Sequence, residues 1–527
     1  MHANPPIHTP ARRRARAQAQ VSRRRFLASV GLGAAGAATM GTGTAYAHHQ
    51  NTVLQVPSDR FGRMFPDLPP FIPADDRRRA ALMDMGAPGE LMDANDPLEA
   101  GPDQLVLDPA LSANNPNNTT HTAGTTFFGQ FLDHDITFDT TSPLGFPTPP
   151  QDSVNIRTPA LDLDSVYGGG PTADPELYQA DRVRLRIESG GLFEDLPRMS
   201  NGTAIIGDPR NDEHAILAGL HAAFILFHNN VVQMLQDSGF GGNLFAEARR
   251  IVTWHYQWLI VHEFLPLFVG QSMVNNILNN GRRFYHPEPG PAHIPVEFQI
   301  GYRFGHSMVR PSYALNLGEA SGGQGDPFFG FIFDPAGEGQ PDPVDLRGGT
   351  RAPRRFVGFE IFFNFDDGFV RPNKMIDTVL STPLFNLPLQ TIPSLDPPTS
   401  LPQRNLLRHL TWEVPAGQLI AQRMGNQQLH LQELAGFGNG VALENQSPLW
   451  YYMLAEAERL AGGLTLGPTG GRIVGEVFIG LLQLDPSSYL AADPTWTPTL
   501  PSQAPGDFRI TDLLRFAGVD PFTRRGQ

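Results

Sequence analysis

Two long apolar segments with helical periodicity, residues 211–236 and 244–269, constrain the fold most strongly. In both, apolar residues recur at intervals of three and four positions, which gathers them on one face of an α-helix. Alternation of apolar and polar residues, the pattern of half-buried strands, is scarce along the chain. The sequence therefore predicts a mainly α fold, a single large helical domain with long ordered loops and little β structure. Shorter helical segments are predicted near 297–310, 402–424, 446–461 and 471–483.

The first 47 residues have the composition of a targeting segment. Paired arginines followed by Phe26-Leu27 precede a Gly/Ala-rich apolar run that ends at Ala45-Tyr46-Ala47. A basic region, an apolar stretch and an A-x-A site, in this order, predict a cleaved signal peptide over 1–47. The paired arginines favour the twin-arginine type, which carries folded proteins. We therefore expect a periplasmic or extracellular protein, with a disordered basic arm as the alternative.

The chain after this segment divides by composition into two parts. Residues 48–120 are rich in Pro, Asp and Asn, with little periodicity, which predicts an irregular N-terminal wrap. Helical periodicity begins near Thr125, and the main domain is therefore predicted over 121–527. Connectors rich in proline and glycine are predicted at 143–151, 318–352 and 388–402.

Composition also excludes several classes of chemistry. The chain has no cysteine, which excludes disulfides, zinc–thiolate sites, iron–sulfur clusters, thiol catalysis and haem held through sulfur. The formal net charge is −14, and loss of residues 1–47, with seven arginines and no acidic residue, makes it more negative. So acidic a protein repels nucleic acid and anionic membranes. No stable membrane insertion is predicted for the mature chain, so small molecules are the expected partners.

The segment Gly129–Asp135, GQFLDHD, is the first candidate for chemistry. On a helix, Gln130 and His134 lie four residues apart on one face, with Asp133 beside that face and Asp135 turned away. A neutral histidine beside an amide is suited to moving a proton within bound peroxide. Two flanking aspartates are costly to bury unless a metal ion or a covalent bond compensates. A solvent-facing polar patch is the alternative.

Two further segments supply an arginine and a second histidine. Arg210, in the sequence GDPRNDE, precedes the first long helix, where negative charge is stabilised. His306, in the sequence IGYRFGHSMVRP, has Arg303 and Arg310 one turn before and after it. An imidazole that binds iron and a guanidinium that pairs with a propionate would suit a haem. A surface arginine and a buried core histidine are the alternatives.

A loop after the first motif carries oxygen ligands at alternate positions. Calcium binds roughly six to eight oxygens, so a further ligand is required, and Asp135 is the expected donor. Such an ion would tie the loop to the helix of His134, whereas without an ion the loop is an ordinary polar turn. The loop ligands are the Thr158 hydroxyl, the Ala160 carbonyl and the carboxylates of Asp162 and Asp164.

Taken in order, these segments resemble the animal-type haem peroxidase superfamily, and its bacterial branch most closely. The resemblance covers roughly residues 110–520. It implies an enzyme that reduces hydrogen peroxide and oxidises halide, thiocyanate or phenolic donors through a ferryl haem. The implied cofactors are Ca²⁺ and a haem derived from haem b, which family members attach through esters. Further segments that carry the resemblance are Thr382–Asn386, Leu401–Asn405, Ser447–Trp450 and Asp512–Phe516.

The resemblance also implies a role for each site residue. On the distal side, His134 is the acid–base group, Gln130 its neighbour in the halide or water pocket, and Arg210 the distal arginine. On the proximal side, His306 is the iron ligand, Arg303 a propionate partner, and Asn386 the candidate for the hydrogen bond to the proximal imidazole. Asp133 and Glu213 match the carboxylates that form esters with the haem methyls. Asp135, Thr158, Ala160, Asp162 and Asp164 match the calcium site.

Two positions depart from other branches of the superfamily. His214 stands where myeloperoxidase has a methionine that forms a sulfonium bond with its haem, so this bond is not expected here. Arg303, three residues before His306, stands where the fatty-acid oxygenating branches have a radical tyrosine, and Tyr302 is one residue further away. The resemblance therefore argues against fatty-acid oxygenation.

Two alternative functions come from other classes of protein. A non-catalytic secreted binding or matrix protein could retain the fold, but it could dispense with the two distal residues and the iron ligand, which are all present. A helical metalloprotein could use His214, His221 and His228, which recur every seven residues on one helix face. This chain has no paired E-x-x-H motif for a di-metal centre, so packing is the favoured interpretation of these three histidines.

Overall fold

The long apolar segments form helices at the centre of the protein. A computed structural model gives the positions of residues 59–189, 194–323, 325–340, 342–349, 354–437 and 440–522. The predicted signal peptide, 1–47, lies outside these described residues. Residues Gln55–Gln527 belong to one structural unit.

Helices dominate the described residues, and the prediction of a mainly α fold is confirmed. A π-helical turn (Ile260–Phe264) joins the helices Leu244–Leu259 and Leu265–Val269. Two of the 3₁₀ helices, Pro209–Asp212 and Tyr302–Met308, carry candidate site residues. The α-helices are α1 (Asp76–Met85), α2 (Pro102–Leu107), α3 (Ala123–Ile136), α4 (Asp164–Tyr167), α5 (Ala215–Asp237), α6 (Leu244–Leu259), α7 (Leu265–Val269), α8 (Gln271–Asn280), α9 (Val296–Gly301), α10 (Phe359–Phe362), α11 (Leu401–Thr411), α12 (Gly417–Met424), α13 (Leu449–Ala461), α14 (Pro468–Leu484), α15 (Tyr489–Ala492) and α16 (Ile510–Ala517).

The strands are short and pair as two-stranded antiparallel sheets. In the first sheet the register places Asn117 opposite Lys374, and in the third it places Tyr313 opposite Gly330. The sheets are β1 (Asn117–Thr122) with β6 (Pro372–Lys374), β2 (Glu188–Ser189) with β3 (Glu194–Asp195), and β4 (Ser312–Asn316) with β5 (Phe328–Phe331).

Proline explains where the predicted helices are interrupted. The segment predicted over 244–269 changes into the π-helical turn directly before Leu265-Pro266, because Pro266 lacks the N–H that would continue the α-helical ladder. The segment predicted over 402–424 divides into α11 and α12, with Pro415 between them. The segment predicted over 297–310 begins as α9 and tightens into the 3₁₀ helix that carries His306.

The N-terminal region is more regular than predicted. Within 48–120, predicted as an irregular wrap, the chain forms α1 and α2 and begins β1. Helix α1 was not predicted from the sequence because half of its residues are charged. It buries only Ala81, Leu82 and Met85. Its start is fixed by Asp75, whose side chain accepts a hydrogen bond from the backbone N–H of Arg78.

The core is built on α3, α5 and α6. Phe131 of α3 stacks on Phe224 of α5, with ring centroids 4.6 Å apart, and Phe224 meets Tyr256 of α6 edge to face at 5.8 Å. Among the described helices, α5 alone is long and apolar enough to span a membrane, and 89% of its apolar window is buried inside the protein. Its composition is therefore that of a core helix.

Candidate functional site

Two largely buried elements, α3 and the 3₁₀ helix Tyr302–Met308, contact each other, and we call the space between their partly exposed residues the candidate cavity. All fourteen residues of α3 are buried except Gln130 and Asp133. In the 3₁₀ helix Tyr302–Met308, Arg303, Gly305 and His306 are only half-buried, and a side chain added at Gly305 would meet no atom within 4 Å. In these two segments only these residues are partly exposed. The polar side chains among them are therefore available to a ligand.

Asp133 connects the two sides of this cavity. Its carboxylate lies 3.8 Å from Nη1 of Arg210, and the positive charge of Arg303 also acts on it. Burial raises the pKa of Asp133, while the two guanidinium groups lower it. The structure therefore brings together the α3 motif, the GDPRNDE segment and the His306 segment, which lie far apart in sequence.

His134 is oriented by an asparagine that sequence analysis missed. Nδ1 of His134 lies 2.9 Å from Oδ1 of Asn211, and Nδ2 of Asn211 lies 3.0 Å from Nδ1 of His221. Burial, with the charge of Arg210, lowers the pKa of His134 to about 3. Since Nδ1 is engaged, Nε2 is the nitrogen available to exchange a proton in the cavity.

Arg210 is fixed by the residue two positions before it. Its Nε and Nη2 donate to the Asp208 carboxylate at 3.0 and 2.8 Å, and its guanidinium lies 4.2 Å from the ring centre of Phe138. Burial acts to raise the pKa of Asp208, but Arg210 and Arg157 hold it well below its ordinary value. A buried, charged aspartate therefore sets the position of Arg210.

Glu213 and Gln130 meet on the wall of the same cavity. Nε2 of Gln130 donates to Oε2 of Glu213 at 3.2 Å. Burial raises the pKa of Glu213 to about 8, although Arg210 acts in the opposite direction. Glu213 and Asp133 are therefore both carboxyl groups for which a buried negative charge is costly.

The hydrogen-bond partner of His306 differs from the prediction. Nδ1 of His306 lies 2.8 Å from Nδ2 of Asn405, in α11. Asn386, the predicted partner, is exposed and follows a separate 3₁₀ helix, Thr382–Phe385. The prediction of Asn386 is therefore wrong, because α11 rather than that turn packs behind His306. Burial, with the charge of Arg303, lowers the pKa of His306 to about 3.

The predicted calcium loop lies against α3. One carboxylate oxygen from each of Asp135, Asp162 and Asp164 lies within 4.8 Å of the others. Thr158 donates to Asp164 through both its backbone N–H and its hydroxyl, at 3.0 and 3.1 Å, and Ala160 lies in the same loop. Burial raises the pKa of Asp135, and the charges of Asp164 and Asp162 raise it further. The carboxylates thus converge with unfavourable mutual repulsion.

The seven-residue histidine repeat does not form a metal site. His214 is bonded to Gln130, and His221 to Asn211. His228 lies 3.1 Å from the hydroxyl of Tyr167 and 2.9 Å from the carbonyl of Val183. In the described ranges, the only group of three potential metal ligands is the aspartate cluster. Different partners for each histidine remove the support for a helical metalloprotein.

Three further residues belong to the site and were missed from sequence. Asn211 and Asp208 flank Arg210, so their proximity was visible, but the direction of each side chain was not. Asn405 lies in the segment Leu401–Asn405 that carried the family resemblance, and this segment was the available signal. Arg408 lies one turn after Asn405 on the same helix. Burial lowers the pKa of Arg408, and Asp139, 2.8 Å away, opposes that shift.

The fold and the cavity define a helical protein with a histidine on each of two facing elements and arginines beside both. Residues 139–326 match the model of the animal haem peroxidase family. The matched segment contains Arg210, Glu213 and His306 and begins after His134. The family, as its name states, uses haem.

Known relatives agree with this match. Chorion peroxidase of Aedes aegypti is 24% identical over 378 residues, which cover 68% of this chain and 44% of that protein. Peroxidase A of Dictyostelium discoideum shares the fold, with a TM-score of 0.55, 15% identity, and coverage of 82% of this chain and 88% of that one. A fatty acid alpha-dioxygenase of Arabidopsis thaliana has a TM-score of 0.52, 15% identity, and coverage of 82% and 73%.

The chain is thus similar to animal haem peroxidases in sequence, over the matched segments, and in fold. The aligned part spans less than half the length of the chorion peroxidase. A peroxidase and a dioxygenase share the fold, so the fold alone does not distinguish between the two reactions.

Proposed function

We propose that this chain is a haem peroxidase that reduces hydrogen peroxide and oxidises small donors, either anions such as halide and thiocyanate or phenols. The observation that supports the proposal is that the segments carrying His134, Arg210 and His306 meet around Asp133, which lies 3.8 Å from Arg210 and feels the charge of Arg303. The match of residues 139–326 to the animal haem peroxidase model supports the reaction class. The position of Arg303, in place of a tyrosine, favours peroxidase chemistry over fatty-acid oxygenation.

The chemistry of the cavity wall fits a haem. Asn405 engages Nδ1 of His306, which leaves Nε2 as the nitrogen that would bind the haem iron. Arg303 would pair with a propionate. Asp133 and Glu213 would hold the haem edge, and esters at these carboxyls would remove two charges that are costly to bury. The bound haem would supply the redox chemistry of the peroxide reaction.

Asn405 also couples the propionate partner to the proximal histidine. Its Oδ1 accepts a hydrogen bond from Nη1 of Arg303 at 3.0 Å, and because arginine can only donate, Nδ2 faces His306. If Arg303 turned to a propionate, the Asn405 amide would be free to rotate by half a turn, and its Oδ1 would then accept the Nδ1–H of His306. The lone pair of His306 would then lie on Nε2, as iron ligation requires.

On the distal side, His134 and Arg210 would divide the work of peroxide cleavage. Nε2 of His134 accepts a proton from one peroxide oxygen and returns it to the departing oxygen. Transfer of this kind contributes roughly 10²- to 10⁴-fold to a rate. Arg210 stabilises the negative charge that develops as the O–O bond breaks, an effect worth roughly 2.7–4 kcal/mol for one well-placed donor. Asp208 keeps the guanidinium in place for this step.

We further propose that Asp135, Asp162 and Asp164 bind calcium together with the Thr158 hydroxyl and the Ala160 carbonyl. Three converging carboxylates with raised pKa values are destabilised when charged, and a divalent cation would remove that cost. The ion would join the loop to α3 next to His134. It would therefore help to fix the position of the distal base.

Calcium removal provides a test of this site. We expect a chelator to lower the melting temperature of the protein by several degrees, because the freed carboxylates repel one another. In Asp162→Asn the chelator should have a smaller effect, since one of the repelling charges is gone. Calorimetry with and without added calcium measures both shifts. A parent protein whose melting is the same in chelator and in calcium would contradict the proposal.

The corrected proximal partner is testable with a matched pair of asparagine variants. We expect Asn405→Ala to reduce affinity for added haem by about 10- to 100-fold, the usual cost of losing the hydrogen-bond partner of a metal-binding histidine. Asn386→Ala, at an exposed position, should leave haem affinity within about twofold of the parent. Haem titration followed by absorbance measures both effects. The reverse order of effects would show that Asn386, not Asn405, is the partner of His306.

A non-catalytic binding or matrix protein is the remaining alternative. It would require neither an available Nε2 on two histidines nor a buried arginine on the distal side. The purified chain, supplied with haem, should oxidise bromide or a phenol in a peroxide-dependent reaction. Haem binding without any peroxide turnover would favour the alternative. We also propose, from the sequence of residues 1–47, that the protein is exported by the twin-arginine route.

A further inference from the structure

His214 occupies the junction between the distal helix α3 and the start of α5. It is the N-cap of α5, and its Nδ1 lies 3.2 Å from the backbone nitrogen of Leu217. Its Nε2 lies 2.9 Å from Oε1 of Gln130. The ring is 1% exposed and packs edge to face against Phe127, 5.0 Å between ring centroids. Two hydrogen bonds and close packing therefore fix the ring.

The hydrogen-bond pattern determines which end of the Gln130 amide faces His214. A backbone N–H can only donate, so Nδ1 of His214 must carry the lone pair that accepts from Leu217. Burial lowers the pKa of His214 to about 3, so the ring is neutral and its one proton is on Nε2. Nε2–H therefore donates to Oε1 of Gln130. The amide nitrogen of Gln130 is directed the other way, toward Glu213.

This orientation gives Gln130 a donor character in the cavity. Its Oε1 is occupied by His214, and one of its two amide hydrogens is used by Glu213. Gln130 is one of the two residues of α3 that are not buried. The second amide hydrogen of this partly exposed side chain is thus available to a ligand that can accept a hydrogen bond.

We propose that His214 is a positioning residue that locks the Gln130 amide with its N–H outward and thereby favours small anions over neutral phenols as donors in the distal cavity. The proposal rests on the proposed peroxidase function and deepens it by assigning donor selectivity to a residue that does not touch the donor. If His214 could not donate, the amide would be free to turn and present its oxygen, which repels an anion.

Two substitutions separate the two hydrogen bonds of His214. In His214→Asn, the side-chain oxygen can still cap α5 by accepting from Leu217, but the side chain is too short to reach Gln130. In His214→Gln, the amide nitrogen can reach Gln130, but no acceptor remains near the backbone of Leu217. A purely structural role would be disturbed most by the loss of the cap, whereas the proposed role is disturbed by the loss of contact with Gln130.

The holoenzyme is titrated with sodium bromide and sodium thiocyanate at constant ionic strength, and the affinity is read from the haem absorbance. We expect the affinity for both anions to fall about 10- to 100-fold in His214→Asn, the usual effect of one hydrogen bond to a charged group. The ratio of kcat/KM for bromide to kcat/KM for a phenol should fall by a similar factor. In His214→Gln both quantities should stay near the parent, while the melting temperature falls.

Each outcome decides the proposal. Unchanged anion affinity and an unchanged donor ratio in His214→Asn would overturn it, as would equal losses in both variants, which would indicate a structural role alone. If the parent binds no haem or does not react with peroxide, the proposed function fails and this inference fails with it. If the parent reacts normally and the His214→Asn variant is unaffected, only the proposed role of His214 is contradicted.

Discussion

Replacement of His134 by alanine is expected to slow the reaction with hydrogen peroxide by at least about a hundredfold while haem remains bound. The reason is that Nε2 of His134 is the group placed to move the peroxide proton, and its Nδ1 is already engaged by Asn211. Stopped-flow absorbance at the haem band measures the second-order rate constant with peroxide.

The control for this variant is a histidine far less buried. His430 is exposed, and its ring is hydrogen-bonded to Asn445 and Gln432, so His430→Ala should react with peroxide as the parent does. A His134→Ala variant with the parental rate constant would show that another group carries the proton.

Replacement of His306 by alanine is expected to weaken the binding of added haem by at least about a hundredfold, since the iron loses its protein ligand. The half-buried side chain leaves a space beside Gly305, where a free imidazole has room to enter. We therefore expect imidazole in solution to restore the haem absorbance band of the variant. Haem titration with and without imidazole measures this effect.

A second variant distinguishes the loss of the iron ligand from a general folding defect. Arg303→Gln removes the proposed propionate partner but leaves the iron ligand, so haem should bind more weakly and still show a histidine-ligated spectrum. If His306→Ala bound haem as tightly as the parent, with an unchanged spectrum, His306 would not be the proximal ligand.

Most of the helical framework could be predicted from sequence, because its long helices have strong periodicity. The segments 211–236 and 244–269 correspond to α5 and to α6 with the helical turns that follow it. The prediction failed for α1, whose sequence is largely polar and whose stability comes from a cap at Asp75 and a few buried contacts. Such tertiary contacts leave little periodic signal in sequence.

For the candidate site too, some residues could be predicted from the sequence and others could not. The ordered motifs that carry His134, Arg210 and His306 were visible in the sequence, and the structure brings these segments together around Asp133. Partners that depend on side-chain direction were missed. Asn405 replaced Asn386 because the packing of α11, rather than any local pattern, decides which amide reaches His306.

The resonance Raman and absorbance spectra of the purified, haem-loaded chain address the central claim most directly. We predict one haem per chain, with an iron–imidazole stretching band that disappears in His306→Ala and survives in His134→Ala. A chain that takes up no haem, or one whose iron–ligand band is the same in all three proteins, would contradict the placement of an iron porphyrin between these two histidines.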